Sequence, residues 1–260
     1  MSFLENIAVL ILTYNEASNI GRTLEALRQL PEIVVLDSYS SDETAQIVSQ
    51  YSNTRLVRRA FDSHANQWNH GLTACDIGRE WVLALDADYV LTASLIEEIA
   101  ALAPPETVSG YRISFNYCVL GKRLSASLYP PVVALFRRQR SHYEQSGHTQ
   151  RLILNGFSDS LSQRIDHDDR KPLSRWIVSQ QRYAELEVEH LFACQRSELR
   201  RTDRIRLMGW PAPILVFFHT LVAKRCIVSG LPGWYYVLQR TLAEILIALE
   251  IAERRLRSKA

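Results

Sequence analysis

Two carboxylates, Asp86 and Asp88, flank Ala87 directly after the apolar run 81–85. A strand presents alternate residues to one side, so both carboxylates can face one crevice while Ala87 packs behind them. Like charges held that close call for a cation. Mg²⁺ or Mn²⁺ suits carboxylate oxygens and takes its remaining ligands from water and substrate phosphates. The pair therefore points to a metal-bound diphosphate at a strand end, although paired Asp residues also serve as plain turn chemistry. Two further polar clusters end apolar runs in the same way. Thr13-Tyr14-Asn15-Glu16 closes the run 7–12, and Asp37 closes the run 33–36.

These positions require elements to carry them. The continuous apolar run 7–12 reads as a strand buried on both faces, the apolar runs 33–36 and 81–85 as further strands, and 54–57 as a short one. Ile20, Leu24, Leu27 and Leu30 recur at helical spacing until Pro31. A second helix is expected after Ser40 or Ser41 as cap, and a third over 66–75. Strand and helix thus alternate through the first hundred residues, which predicts an α/β fold with a mostly parallel, doubly wound sheet. Ligands of such sheets bind at the carboxyl ends of the strands, where all three polar clusters fall. Beyond Pro104-Pro105, strand-like stretches at 108–116, 132–136 and 150–154 suggest an acceptor-side part, and a helical pattern starts near Leu173. The expected division is residues 1–170 as one domain, with halves 1–103 and 104–170, followed by a helical region over 171–260.

The chain has 260 residues, 47% of them hydrophobic and 22% charged, enough for one large domain with an appendage. A formal net charge of +2 argues against nucleic acid as a partner. Cys75, Cys118, Cys194 and Cys226 show no paired spacing, so neither a zinc knuckle nor a disulfide framework is expected. A reducing, cytoplasmic setting fits best, and the first residues carry no secretory signal pattern.

Taken together, Leu12-Thr13-Tyr14-Asn15-Glu16, Leu36-Asp37-Ser38-Tyr39-Ser40-Ser41-Asp42-Glu43-Thr44, Gln67-Trp68-Asn69 and Asp86-Ala87-Asp88 resemble the family 2 glycosyltransferases in content, order and spacing. The resemblance is strongest to the bacterial lipopolysaccharide inner-core glucosyltransferase branch, through His148, His167 and Gln180-Gln181-Arg182-Tyr183. It implies a GT-A-type, Rossmann-like nucleotide-sugar-binding fold and an inverting transfer from an activated sugar. Asp37 can accept a hydrogen bond from a base imino group, which favours uracil, and Thr13, Asn15 and Glu16 lie where the nucleoside would be held. Asp86 can reach ribose or metal, and Asp88 is expected to bind the cation bridging the diphosphate. Gln67 and Asn69 can donate to nucleotide or sugar oxygens, or merely cap their helix. His167 resembles the family histidine that completes the metal site. Arg182 can clamp a phosphate or lie along a helix surface.

Inverting displacement needs a base opposite the departing diphosphate. Relatives carry Glu directly after the histidine that corresponds to His148, whereas this chain has Thr149, which cannot act as a base. Asp166 or Asp168 can take its place. The departure also leaves room for a changed acceptor or lost activity.

Residues 211–223 are apolar but shorter than the roughly twenty needed to span a bilayer. Arg196, Arg200, Arg201, Arg204 and Arg206 precede them, and Trp210, Trp234, Tyr235 and Tyr236 flank the apolar stretches. That combination suits a headgroup interface, or else a buried hairpin. The amphipathic pattern of Leu242, Ile245, Leu246 and Leu249 can pack on the same surface or on a second subunit, making an oligomer. The expectation is a metal-dependent hexosyltransferase at the inner face of the bacterial plasma membrane, moving glucose from UDP-glucose to a lipid-linked saccharide. Its rivals are transfer to a polyprenyl phosphate and a catalytically silent nucleotide-sugar-binding protein.

Overall fold

The computed structural model describes residues 2–126, 129–146, 149–195, 197 and 199–258, with the side chains of Ser146 and Thr149 left aside. The chain divides into two units, Met1–Cys118 with Tyr129–Arg170, and Val119–Leu128 with Lys171–Ala260.

In the first unit the strands are β1 (Ile7–Thr13), β2 (Glu32–Asp37), β3 (Thr54–Arg58), β4 (Trp81–Asp86), β5 (Tyr89–Leu91) and β6 (Val108–Val119, ending at the next unit). Between them run α1 (Ile20–Ala26), α2 (Thr44–Val48), α3 (His64–Ala74) and α4 (Ala93–Ala100). The two-residue β7 (Lys122–Arg123) belongs to the second unit; β8 (Val132–Arg137), β9 (Ser141–Ser146), β10 (Thr149–Leu154) and β11 (Phe157–His167) return to the first. The main sheet runs β3-β2-β1-β4-β8-β6-β11-β5, and β9 and β10 form a separate antiparallel pair. Strands β1 to β4 pair in parallel, as their alternation with helices predicts. β8 then runs antiparallel to both β4 and β6.

Alternation along β1 divides the core. Val9 and Ile11 pack with Ile20 and Leu24 of α1 and Leu95 and Ile99 of α4, whereas Ala8 and Leu10 pack with Trp68 and Leu72 of α3. Each fully buried aliphatic side chain contributes roughly 1.5–3 kcal/mol of transfer free energy. α3 lies very close to β1, because a Cβ on Gly71 would fall 2.5 Å from Leu10 Cδ2.

Among the elements not visible in the residue pattern are α4 and β11. α4 follows β5 by a Thr92 cap, whose hydroxyl accepts from Leu95 N at 3.2 Å. β11 buries only Leu161, Ile165 and His167 along its length, so its apolar signal is sparse. One cap differs from expectation: α2 starts after Glu43 with no side-chain cap, since Ser40 and Thr44 are engaged by the loop after β1.

The second unit is helical: α5 (Leu173–Ala193), α6 (Arg201–Met208), α7 (Pro211–Phe218) and α8 (Gly230–Arg257). Its small core joins Val188, Leu191, Leu199 and Ile251. Arg206 grips the buried Glu244 through both carboxylate oxygens, at 3.0 and 2.6 Å, and reaches Glu187 at 2.8 Å.

Candidate active site

Parallel register aligns the polar strand ends. Thr13 lies opposite Asp37, and Leu12 opposite Asp86, so the carboxyl ends of β1, β2 and β4 open side by side. Asp37 is wholly buried and accepts from Thr13 Oγ1 at 3.1 Å and from Ser40 N at 2.9 Å. Asn15 takes a positive φ of 55°, a conformation that Asn tolerates better than most residues. Its backbone N donates to Ser40 Oγ at 2.7 Å, and its Oδ1 accepts from Ser41 N at 2.7 Å. Glu16 N donates to Thr44 Oγ1 at 2.7 Å. The loops after β1 and β2 are thereby laced into one preorganised rim.

Gln67 is buried behind that rim, donating to Ser38 Oγ at 3.1 Å and accepting from the Arg59 guanidinium. Asn69 is used differently. Its amide donates to Tyr143 O and accepts from Tyr143 N, both at 2.8 Å, which fastens β9 to α3. Trp68 stacks on the same tyrosine with ring centroids 5.3 Å apart.

The acidic pair sits on a pinned turn. Ala87 O accepts from Thr23 Oγ1 at 2.7 Å, and Asp88 O accepts from Asp168 N at 3.1 Å. Pairing of β5 with β11 sets His167 opposite Tyr89, which brings His167 Nε2 to 3.2 Å from Asp88 Oδ2. Asp88 and His167 are both buried. Burial opposes protonation of His167, but the Asp88 charge and hydrogen bond outweigh it and raise its pKa. The rings of Tyr89, Tyr117 and Tyr129 lie 4.6–5.1 Å from the imidazole, and its Nδ1 is buried without a hydrogen-bond partner. Asp86 presents surface to the crevice, yet the protein packed around it and the nearby Asp88 carboxylate push its pKa up to about 6. The Tyr89 hydroxyl bonds Asp86 and works in the opposite direction.

The remaining positions fall into distinct surroundings. Asp168 is buried, and its Oδ2 is shared by Arg22 NH1 at 2.9 Å and Arg170 Nε at 2.8 Å. Asp166 alternates with His167 along β11 and therefore faces the other side of the sheet, where Asn116 donates to it at 2.8 Å. Arg182 is exposed on α5 in the second unit, as are Gln181 and Tyr183. His148 lies outside the described residues.

Sequence reasoning missed Asn19 and Arg22, which tie the turn together. Asn19 is buried; its amide donates to Glu16 and Asp169, and its Oδ1 accepts from Arg22 and Arg170 N. A polar residue just before a helix reads as a cap, and nothing local distinguishes this one.

A divalent ion is implied by the family resemblance, and the donor set can be tested against it. Among the described residues no three His, Cys, Asp or Glu side chains converge to enclose a metal. Asp86 and Asp88 instead offer an open pair of carboxylates at the strand end, with His167 Nε2 beside Asp88 Oδ2. That chemistry fits an ion that completes its shell with phosphate oxygens and water, as Mg²⁺ and Mn²⁺ do.

Comparison with known proteins agrees with the fold. The chain is 23% identical over 95% of its length, and 92% of the relative's, to the lipopolysaccharide core biosynthesis glycosyltransferase LpsC of Rhizobium meliloti. It is 30% identical to an uncharacterized glycosyltransferase of Rickettsia felis over 37% of this chain and 33% of that one. Among solved structures, S. aureus TarS 1-349 in complex with UDP superposes with a TM-score of 0.51 at 16% identity, covering 98% of this chain and 92% of that chain, which supports a GT-A-like fold. The family model for glycosyl transferase family 2 matches residues 8–153, more than half of the chain. A transferase crevice on a mostly parallel sheet, with that match across it, makes this chain a member of glycosyl transferase family 2.

Proposed function

We propose that the protein transfers a hexose, glucose foremost, from a UDP-sugar with inversion onto a lipid-linked saccharide such as a lipopolysaccharide core, at the inner face of the bacterial plasma membrane. The observation that carries this reading is the approach of His167 to Asp88 beside Asp86, at the carboxyl ends of parallel strands. The full-length similarity to LpsC supports the acceptor class.

In this reading the rim formed by Thr13, Asn15, Glu16 and Asp37 receives the nucleoside. Asp37 keeps one carboxylate oxygen with a single described hydrogen bond, which supports its use toward a base imino group. Gln67 holds Ser38 on that rim, and Asn69 serves by fastening the β9–β10 pair. Asp88, Asp86 and His167 would hold Mg²⁺ or Mn²⁺. Such an ion, when bound, offsets the charge that UDP gains on departure.

Asp168 is assigned a positioning role, because its Oδ2 is already engaged by Arg22 and Arg170, which fixes the turn that carries Asp88 and His167. Asp166 faces away from His167, so it too is set aside as base. His148 is the remaining choice for receiving the acceptor proton, and Arg182 for a phosphate contact.

Incubation with Mn²⁺ and a panel of UDP-sugars tests the reading. Release of UDP, fastest with UDP-glucose, is expected. UDP binding without any turnover across the panel and with lipid acceptors present would contradict it in favour of a silent binding protein.

A further inference from the structure

The second unit carries an apolar surface that its own core does not use. On α7 and the turn that follows, Ile214, Leu215, Phe218 and Val222 are each about half or more exposed, and Leu231 of α8 is 82% exposed. Ile227 and Val228, between the two helices, are exposed as well. Monomeric proteins rarely present so many adjacent apolar side chains to water without a use for them.

The backbone between α7 and α8 is built to bend. Residues 219–223 form a π-turn, Arg225 and Gly230 adopt positive φ of 54° and 61°, and a Cβ on Gly233 would strike the Cys226 carbonyl at 1.9 Å. Ser125 fastens the bend, its hydroxyl donating to Arg225 O at 2.9 Å and accepting from the Ser229 hydroxyl at 3.2 Å. No single helix among the described residues is long and apolar enough to cross a membrane; Pro211–Ala223 and Cys226–Arg257 pass that test only as a pair bent by 66°.

Charge says what covers this surface. Between Asp203 and Glu244 the sequence has no acidic residue, while Arg204, Arg206, Lys224, Arg225 and Arg240 are basic. Arg200, Arg201 and Arg204 are exposed on and before α6, then come exposed Met208 and Trp210, then the apolar face of α7. This order of cation, aromatic ring and aliphatic chain matches the passage from anionic headgroup to acyl region. A second copy of the chain would present the same positive charge, so self-association through this face works against itself.

We infer that the bent α7–α8 pair seats itself in one leaflet of an anionic lipid membrane without crossing it, with Trp210 and Trp234 at headgroup depth. The inference deepens the lipid-linked acceptor reading but stands on residues remote in sequence from the crevice, so each can fail without the other.

The test is flotation of the full chain with vesicles of phosphatidylglycerol and phosphatidylcholine, against phosphatidylcholine alone, at low and high salt. Binding to the anionic vesicles, weakened by salt, is expected, with Trp emission quenched by lipids brominated on their acyl chains. The double variant Leu215→Glu/Phe218→Glu should lose about tenfold or more of the partitioning while its melting temperature and its release of UDP from UDP-sugar in lipid-free buffer stay unchanged. Leu231→Glu, at the most exposed position, gives an independent reading of the same loss. Equal flotation of wild type and both variants, or a protein that stays free of anionic vesicles at low salt, would overturn the inference. So would a dimer that masks the tryptophans and does not float.

Discussion

His167 Nε2 and Asp88 Oδ2 approach to 3.2 Å because β5 and β11 pair in antiparallel register one residue away from the acidic turn. The pair is buried, so its charge balance controls the site. His167 has a raised pKa, so the stabilisation from its protonated pairing with Asp88 is fully present below the ordinary value of 6.5 and is lost as pH rises through the folded value. His167→Asn should flatten that dependence above the ordinary histidine range in thermal melts and lower UDP release about a hundredfold. A variant that keeps both the wild-type pH profile and full turnover would remove His167 from the site.

Asp86 adds to the same loss of stability with rising pH, through a charge that the folded state disfavours. Its pKa is pushed from 3.8 up to about 6, so ionising it costs the folded state progressively more as pH rises across that interval. In chelator at pH 8, Asp86→Asn should melt about 2 °C above wild type, and at pH 4 the difference should vanish. The same variant should be nearly inactive with UDP-sugar. Gain of stability with loss of turnover is the signature of a carboxylate kept for a ligand.

Asp168 is expected to behave as a structural residue. Replacing it with Asn leaves Arg22 and Arg170 without their shared carboxylate, at a cost of roughly 1–3 kcal/mol, because Asp168 is buried while both guanidiniums reach solvent. Chemical denaturation should show that loss, while turnover per folded molecule stays within about threefold of wild type. A collapse in turnover with an unchanged denaturation midpoint would restore Asp168 as a base.

Asn69→Ala should detach β9 from α3 by removing both hydrogen bonds to the Tyr143 backbone, at a cost of roughly 2 kcal/mol. Faster amide exchange at Tyr143, with UDP affinity preserved, would fit a fastening role. Loss of UDP affinity with unchanged exchange would point to direct contact with the nucleotide.

Glu244→Ala in the second unit leaves the Arg206 guanidinium with Glu187 alone, and a destabilisation of roughly 1–3 kcal/mol is expected from denaturant curves. Arg206→Met with Glu244→Leu and Glu187→Gln should recover most of it, because no unpaired charge is then left behind. No recovery would mean that the site depends on the ion pair itself.

What the residues announced in advance is what strands buried on both faces must announce. The runs ending at Thr13, Asp37 and Asp86 are nearly continuous in apolar character, and their polar ends are short and abrupt. β11 escaped notice because only Leu161, Ile165 and His167 turn inward, and a histidine contributes nothing to an apolar pattern. The side-chain roles depended on partners far away in the chain. Asn69 meets Tyr143, and Asp168 meets Arg22, across separations that no local spacing encodes. Asp166 and Asp168 are equivalent as sequence neighbours of His167, and only the alternation of β11 and the reach of Arg22 separate them.

The most direct test of the account is titration of UDP into wild-type protein and Asp88→Asn, each with Mn²⁺ and with chelator. The account predicts that wild-type affinity falls about tenfold or more when the ion is removed, and that Asp88→Asn binds weakly with or without it. UDP affinity that is the same in all four titrations would contradict the assignment of Asp88, and with it the chemistry placed in this crevice.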